Sequence, residues 1–210
     1  MAEMMKGNEA IAEAAIRAGA RFYAGYPITP SSEIMEYLSW RMNEVGGAFV
    51  QAESELAGIN MVIGASSCGV RALTASSGPG ISLKQEGIST LCDEGLPAVV
   101  ITQVRYGNGL GTLFTSQCDY HRETRGGGQG DYRCIVLCPS SIQEFVDLML
   151  PAYELAEKYR IVTIMMGEGT LGQMMEPVEL PDFVEPKRTP WALNGHYTYK
   201  RLVSRKRFYG

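Results

Sequence analysis

Four short segments of this 210-residue chain carry the side chains that could do chemistry. Tyr26-Pro27-Ile28-Thr29-Pro30 offers a hydroxyl at Thr29, and AESE ends on the carboxylate of Glu55. Ser77-Gly78-Pro79-Gly80 supplies a second hydroxyl and flexible backbone, and Arg105 closes PAVVITQVR. Each segment follows a run that reads as a strand, and in an open parallel α/β sheet ligands sit outside the carboxyl ends of the strands. A carboxylate, hydroxyls, a guanidinium and glycines around one rim can hold a polar small molecule. Arg105 in that place suits a substrate carboxylate, which its planar fork can grip in bidentate fashion. Each residue also has a purely structural reading. Glu55 in a first helical turn complements the helix dipole, Thr29 is a cap, and Arg105 is a solvated loop charge. His121 and His196 stand in no motif and read as surface residues. The chain has no G-x-x-x-x-G-K-[ST], no G-x-S-x-G and no usable G-x-G-x-x-G.

The elements that must position these segments follow from the hydrophobic pattern. Helices are expected at EAIAEAAIRA with Asn8 as N-cap, and from Pro30 to Val45 with Thr29 as N-cap. Further helices are expected at SELAGINMVIGAS, ISLKQEGISTLCDEG after a Gly78-Pro79-Gly80 turn, and SIQEFVDLMLPAYELAEKYR. Strands are expected at RFYAGY, AFVQAE, VRALTASS, PAVVITQV, CIVLCP and IVTIMM. Six strands alternating with helices predict an α/β fold: an open, mostly parallel sheet with helices on both faces. Residues 105–133 form a loop too long for a plain connection. EPVELPDFVEPKRTP, with four prolines and no helical period, reads as an extended linker.

Composition narrows the function class. The 45% hydrophobic content suits one buried core. No run of 18 apolar residues and no leader-like N-terminus is present, so a cytoplasmic protein away from membranes is expected. The five cysteines form no C-x-x-C and read as buried reduced thiols, so no metal site is expected. Residues 1–185 hold 12 Lys and Arg against 23 Asp and Glu, a net −11, while residues 186–210 hold seven Lys and Arg and no acid. A body of that sign excludes a nucleic-acid-binding domain. A nucleic-acid arm in the tail is the weakest alternative, less favoured than a disordered or out-of-frame end.

The ordered motifs YPITPSS, SELAGINMVIGAS and GGGQGDYR, within a likeness that runs from about Met5 to about Gly195, closely resemble the α subunit of 2-oxoacid:ferredoxin oxidoreductases, in particular the 2-oxoisovalerate (branched-chain) type. The resemblance implies a thiamine diphosphate PYR-type domain over 1–175, a proline-rich linker over 176–195 and a basic tail over 196–210, with the family's following domain absent. It gives Glu55, nine residues before Gly64, the role of bonding N1′ of the aminopyrimidine and favouring the imino tautomer that generates the ylide. Tyr26, Pro27, Ser77 and Gly78 would neighbour the cofactor, and Thr29 and Arg105 would contact the 2-oxo acid. Leu110, in a YGNGLGT loop nearer the branched-chain type, would favour an aliphatic side chain, with 2-oxoglutarate and pyruvate as alternative substrates. The implied reaction is oxidative decarboxylation to acyl-CoA with reduction of ferredoxin. A β subunit would carry the Mg²⁺ and pyrophosphate half of the site, and γ and ferredoxin-like δ subunits would carry most of the iron–sulfur clusters and coenzyme A contacts. The alternative is a non-catalytic remnant that serves as a scaffold. Three features depart from the family's pattern. The tail HYTYKRLVSRKRFYG matches none of it, and Lys84 stands where related sequences usually carry Met. Gly167-Glu168-Gly169 with Asn194 mimics a metal–pyrophosphate motif, but a proline-rich stretch replaces the helix that motif needs.

Overall fold

The computed structural model describes residues 2–185, together with Ala192. In chain order the elements are β1 (Glu3–Lys6), α1 (Gly7–Arg17), β2 (Phe22–Gly25), α2 (Ser32–Glu44), β3 (Ala48–Gln51), α3 (Glu55–Ser67), β4 (Ala72–Ser76), α4 (Gly78–Glu94), β5 (Ala98–Val104), α5 (Tyr120–Arg125), β6 (Ile135–Leu137), α6 (Ile142–Tyr159), β7 (Val162–Glu168), α7 (Gly169–Gln173) and β8 (Met175–Val178). Six strands form one parallel sheet in the order β3-β2-β4-β5-β7-β6. These are the six strands expected from the sequence.

Side-chain alternation along the strands divides the core in two. Leu73, Ala75, Val99 and Ile101 point to the face covered by α1, α2 and α6, where Ile11, Leu38, Met42, Phe145 and Met149 are buried. Ala72, Ala98 and Val100 point to the face covered by α3 and α4, where Ile59, Val62, Ile81 and Leu91 are buried. Central strands are covered on both faces, and β4 and β5 are buried along their whole length, with Thr74, Ser76, Thr102 and Gln103 included. Gly95 ends α4 in the left-handed region at φ 65°, where a side chain would be strained. Among the described residues no helix is long and apolar enough to cross a membrane.

Several local expectations are corrected. β1 and β8 pair as an antiparallel ribbon outside the main sheet, so the stretch expected to be a linker from residue 176 begins inside a strand. Four-residue strands are too short to show a period. Gly78-Pro79-Gly80 is the first turn of α4 rather than a turn before it, with Pro79 where its missing N–H costs nothing. Thr29 does not cap α2, which starts at Ser32 with Ser31 at the N-cap position. Of the cysteines only Cys92 is buried, whereas Cys68, Cys118 and Cys138 are exposed. His121 is exposed as expected. His196, Asn194 and the basic tail lie outside the described residues.

Asn8 is also no cap. It lies inside α1, fully buried, and its amide holds the loop that follows β2. Nδ2 donates to the Pro30 carbonyl at 2.7 Å and to Glu33 Oε2 at 2.6 Å, while Oδ1 accepts from Gln103 Nε2 at 2.9 Å. Glu33 also accepts from Lys6 and Gln173. Burial alone would raise the Glu33 carboxyl, but the bonds from Lys6, Asn8 and Gln173 hold it below the usual carboxylate range. One amide therefore ties α1, α2, β5 and the YPITP loop together. Asn8→Leu, which leaves the Pro30 carbonyl and Gln103 amide without their partner, is expected to destabilise the protein by about 3 kcal/mol in equilibrium urea unfolding.

Candidate active site

The chain crosses from β2 to β3 on one side and reaches β4 on the other, so β2 lies at the reversal of strand order. Such a reversal opens a crevice at the carboxyl ends of the strands. The loop after β2, the start of α3, the start of α4 and the end of β5 all lie there.

Glu55 is the first residue of α3, and Ser54 before it is the N-cap, accepting a hydrogen bond from the Ala57 amide at 3.2 Å. That cap fixes the helix start, so the Glu55 side chain turns inward and is 7% exposed. It lies against the first turn of α4. A Cβ placed on Gly80 would stand 2.7 Å from Glu55 Oε1 and would also strike the Ser76 hydroxyl. Glycine at 80 is what lets the carboxylate approach the α4 backbone. The carboxylate accepts no hydrogen bond among the described residues.

Arg105 lies on the other side of the same turn. A Cβ on Gly78 would stand 2.7 Å from Arg105 Nε, and Gly78 itself has φ +46°. Arg105 Nη1 donates to the Thr29 carbonyl at 2.8 Å and Nη2 to the Leu110 carbonyl at 2.6 Å. Thr29 and Leu110 therefore meet Arg105 through their backbones. The Leu110 side chain is 80% exposed, and Tyr26 and Thr29 are exposed as well. The structure thus brings Glu55, Ser77, Gly78 and Arg105 together around the start of α4, with Thr29 and Leu110 attached through Arg105. Tyr26 and Pro27 lie on the adjoining loop, and among the described residues no hydrogen bond links them to Glu55.

Polar atoms at this rim lack partners. Ser76 Oγ, Ser77 Oγ and Arg105 Nε are buried without a hydrogen bond among the described residues. Unpaired buried polar groups are costly, and clusters of them mark places where a ligand completes the bonding. The free donors and the acceptor on Glu55 fit a polar ring and phosphate-bearing cofactor with groups of both kinds.

Two features escaped the sequence reading. Arg122 of α5 donates to the Gly78 carbonyl at 3.0 Å and pairs with Asp119 and Glu123, so the long 105–133 loop folds onto α4. Burial, partly offset by Arg122, raises the Glu123 carboxyl above its usual range. Lys84 is the other. It is fully buried and donates to the Glu55 carbonyl at 3.3 Å. The amphipathic period of α4 gives no sign of a buried cation. A cavity of about 910 Å³ between α4 and residues 128–133, lined in part by Ser89, Asp93, Gln129 and Tyr132, contains none of the predicted site residues. Among the described residues no group of three or more His, Cys, Asp or Glu is arranged to hold a metal ion.

Comparison with known proteins places this geometry in context. Residues 13–204 match the family model described as pyruvate flavodoxin/ferredoxin oxidoreductase, thiamine diphosphate-binding. The chain is 51% identical over 205 residues to the ketoisovalerate oxidoreductase subunit VorB of Methanothermobacter marburgensis, covering 96% of this chain and 58% of the relative. It is 46% identical over 184 residues to the 2-oxoglutarate synthase subunit KorA of Methanocaldococcus jannaschii, covering 87% of this chain and 50% of that one. The chain thus spans little more than half the length of these relatives. A solved 2-oxoglutarate:ferredoxin oxidoreductase from Magnetococcus marinus, with 2-oxoglutarate, coenzyme A and succinyl-CoA bound, superposes with a TM-score of 0.86 at 32% identity, covering 93% of this chain and 35% of that one. Gly80→Ala, which pushes a methyl group into Glu55 Oε1 and the buried Ser76 hydroxyl, is expected to lower the melting temperature by a few degrees and to weaken thiamine diphosphate binding by the assembled complex at least about tenfold, as read by calorimetric titration.

Proposed function

This chain belongs to the thiamine diphosphate-binding pyruvate flavodoxin/ferredoxin oxidoreductase family, and we propose that it supplies the aminopyrimidine half of the active site of a 2-oxoacid:ferredoxin oxidoreductase. The observation that carries this reading is the Glu55 carboxylate, on a residue only 7% exposed at the strand-order reversal, which accepts no hydrogen bond among the described residues. A carboxylate in that state is ready to bond a ring nitrogen, and desolvation strengthens the bond it makes.

In the proposed mechanism Glu55 would hold the proton shared with N1′ of the aminopyrimidine. The glycines at 78 and 80 in the first turn of α4 would leave room for the ring beside it. Thiamine diphosphate, when bound, supplies the nucleophilic carbon and the electron sink for decarboxylating a 2-oxo acid. Arg105 has a buried Nε with no partner among the described residues and a guanidinium fixed by two carbonyls, so it is poised to orient the substrate carboxylate. Closure of Arg105 over Gly78 would help to exclude water from the reacting centre.

A branched-chain 2-oxo acid such as 2-oxoisovalerate is the substrate we favour. Support comes from the higher identity to the ketoisovalerate subunit than to the 2-oxoglutarate subunit, and from the apolar Leu110 beside Arg105. Ferredoxin would take the electrons and coenzyme A the acyl group, through clusters and contacts on partner subunits. α3 is apolar around most of its circumference, and Leu56, Met61 and Leu83 of α3 and α4 are exposed. A helix of that kind is one buried on both sides, so a partner chain carrying the diphosphate half of the site fits against it.

The test is reconstitution with the partner subunits. The complex should reduce viologen in the presence of 2-oxoisovalerate, coenzyme A and thiamine diphosphate. Glu55→Gln should assemble normally and lose at least about a hundredfold in kcat. Full activity in that variant would sink the role of Glu55. An assembled complex that reduces nothing with any 2-oxo acid would favour the scaffold alternative instead.

A further inference from the structure

Lys84, in the second turn of α4, is fully buried beneath the start of α3. Its one hydrogen bond among the described residues runs from Nζ to the Glu55 carbonyl at 3.3 Å. Gly58 lies alongside it: a Cβ there would stand 3.4 Å from Lys84 Nζ and 3.3 Å from Gly25 Cα, so α3 passes close over both. The ammonium thus sits between the first turn of α3 and the end of β2, with two of its three donors unused. Lysine is almost never buried without a charged partner. Glu55 is the charged group of the packed elements whose field reaches it, while Gln85 beside it is neutral and Glu86 is exposed.

We propose that Lys84 is a positioning residue for Glu55, fixing the first turn of α3 through the Glu55 carbonyl and supplying the counter-charge for a carboxylate that has no hydrogen-bond partner among the described residues. The inference rests on the role given to Glu55 above. A lysine needed only to fill this space would be bettered by methionine, which has the same reach and no charge to desolvate. Burial pushes the Lys84 ammonium down to about 8, with the Glu55 charge pulling it back up, so it is still mainly protonated at neutral pH. Because this value lies below the free value of 10.5, the unfolded chain holds more protons between about 8 and 10.5, and stability rises with pH across that window. Lys84 therefore lowers stability near neutrality, and its charge is useful only if the carboxylate beside it must stay ionised.

Two variants of the assembled complex test this. Lys84→Met removes both the bond and the charge, and Lys84→Gln keeps a donor for the Glu55 carbonyl without the charge. The readouts are the melting temperature and the pH dependence of thiamine diphosphate binding by calorimetry. Lys84→Met is expected to melt higher than the parent at neutral pH and to lose the alkaline rise in stability. Both variants are expected to move the acid limb of binding upward by about one pH unit, so that affinity falls about tenfold in mildly acid solution and changes little near pH 8. An unmoved acid limb in both, or failure of both to assemble, would make Lys84 a purely structural residue and overturn the inference. A parent complex that binds no thiamine diphosphate at any pH would instead remove the reading of Glu55 itself.

Discussion

The close approach of α3, α4 and the end of β2 is the constraint on which the site depends. Glycines make it possible. Gly58 faces Gly25 and Lys84, Gly80 faces Glu55 and Ser76, and a Cβ on Gly87 would stand 2.5 Å from both γ carbons of Ile59. A side chain at Gly87 would force α3 and α4 apart, one at Gly80 would displace Glu55 and Ser76, and one at Gly58 would pack tightly against Gly25. With the helices together, a carboxylate, an ammonium and two serine hydroxyls share a small volume at the edge of a parallel sheet. The rest of the fold supports that contact: β4 and β5 give a fully buried floor, and Asn8 reaches from the far face to hold the loop that completes the rim.

The electrostatics of the site run against stability. Among the described residues Ser76, Ser77 and Arg105 each leave a buried polar atom unpaired, and Lys84 is buried with one long hydrogen bond. On the far face of the sheet a buried carboxylate is bonded through both of its oxygens. Glu13 accepts from Arg17, Arg41 and Tyr37, and these bonds hold its carboxyl below the usual range against the effect of burial. Glu55, also buried, accepts no hydrogen bond among the described residues, and the proposed cofactor ring would supply its partner. Sites kept in this strained condition are where activity and stability trade against each other.

Much of this was legible in the sequence. The six main strands showed themselves through apolar runs, and their alternation with helices gave the parallel sheet and the edge at which to look for ligands. Glu55, Ser77, Gly78 and Arg105 could be named because they follow those strands directly. The failures have physical causes. Asn8 and Thr29 are residue types that cap helices, but Asn8 spends its amide on tertiary bonds, and α2 begins past Thr29. Gly78-Pro79-Gly80 has turn composition, yet Pro79 is equally at home at a helix start. The β1–β8 ribbon pairs segments far apart in sequence, and neither is long enough to show a period. Lys84 was visible only as an unusual residue. It is buried where α3 passes close over it, and no pattern within α4 reports that.

Binding of the cofactor's ring against Glu55 is the central claim, and it is a matter of distance. A structure of the assembled enzyme with thiamine diphosphate tests it most directly. The account predicts that a Glu55 carboxylate oxygen lies about 2.7 Å from N1′ of the aminopyrimidine, with the ring seated over the first turn of α4. A ring bound elsewhere, or a Glu55 carboxylate turned away to bond other protein groups while the cofactor is in place, would contradict it.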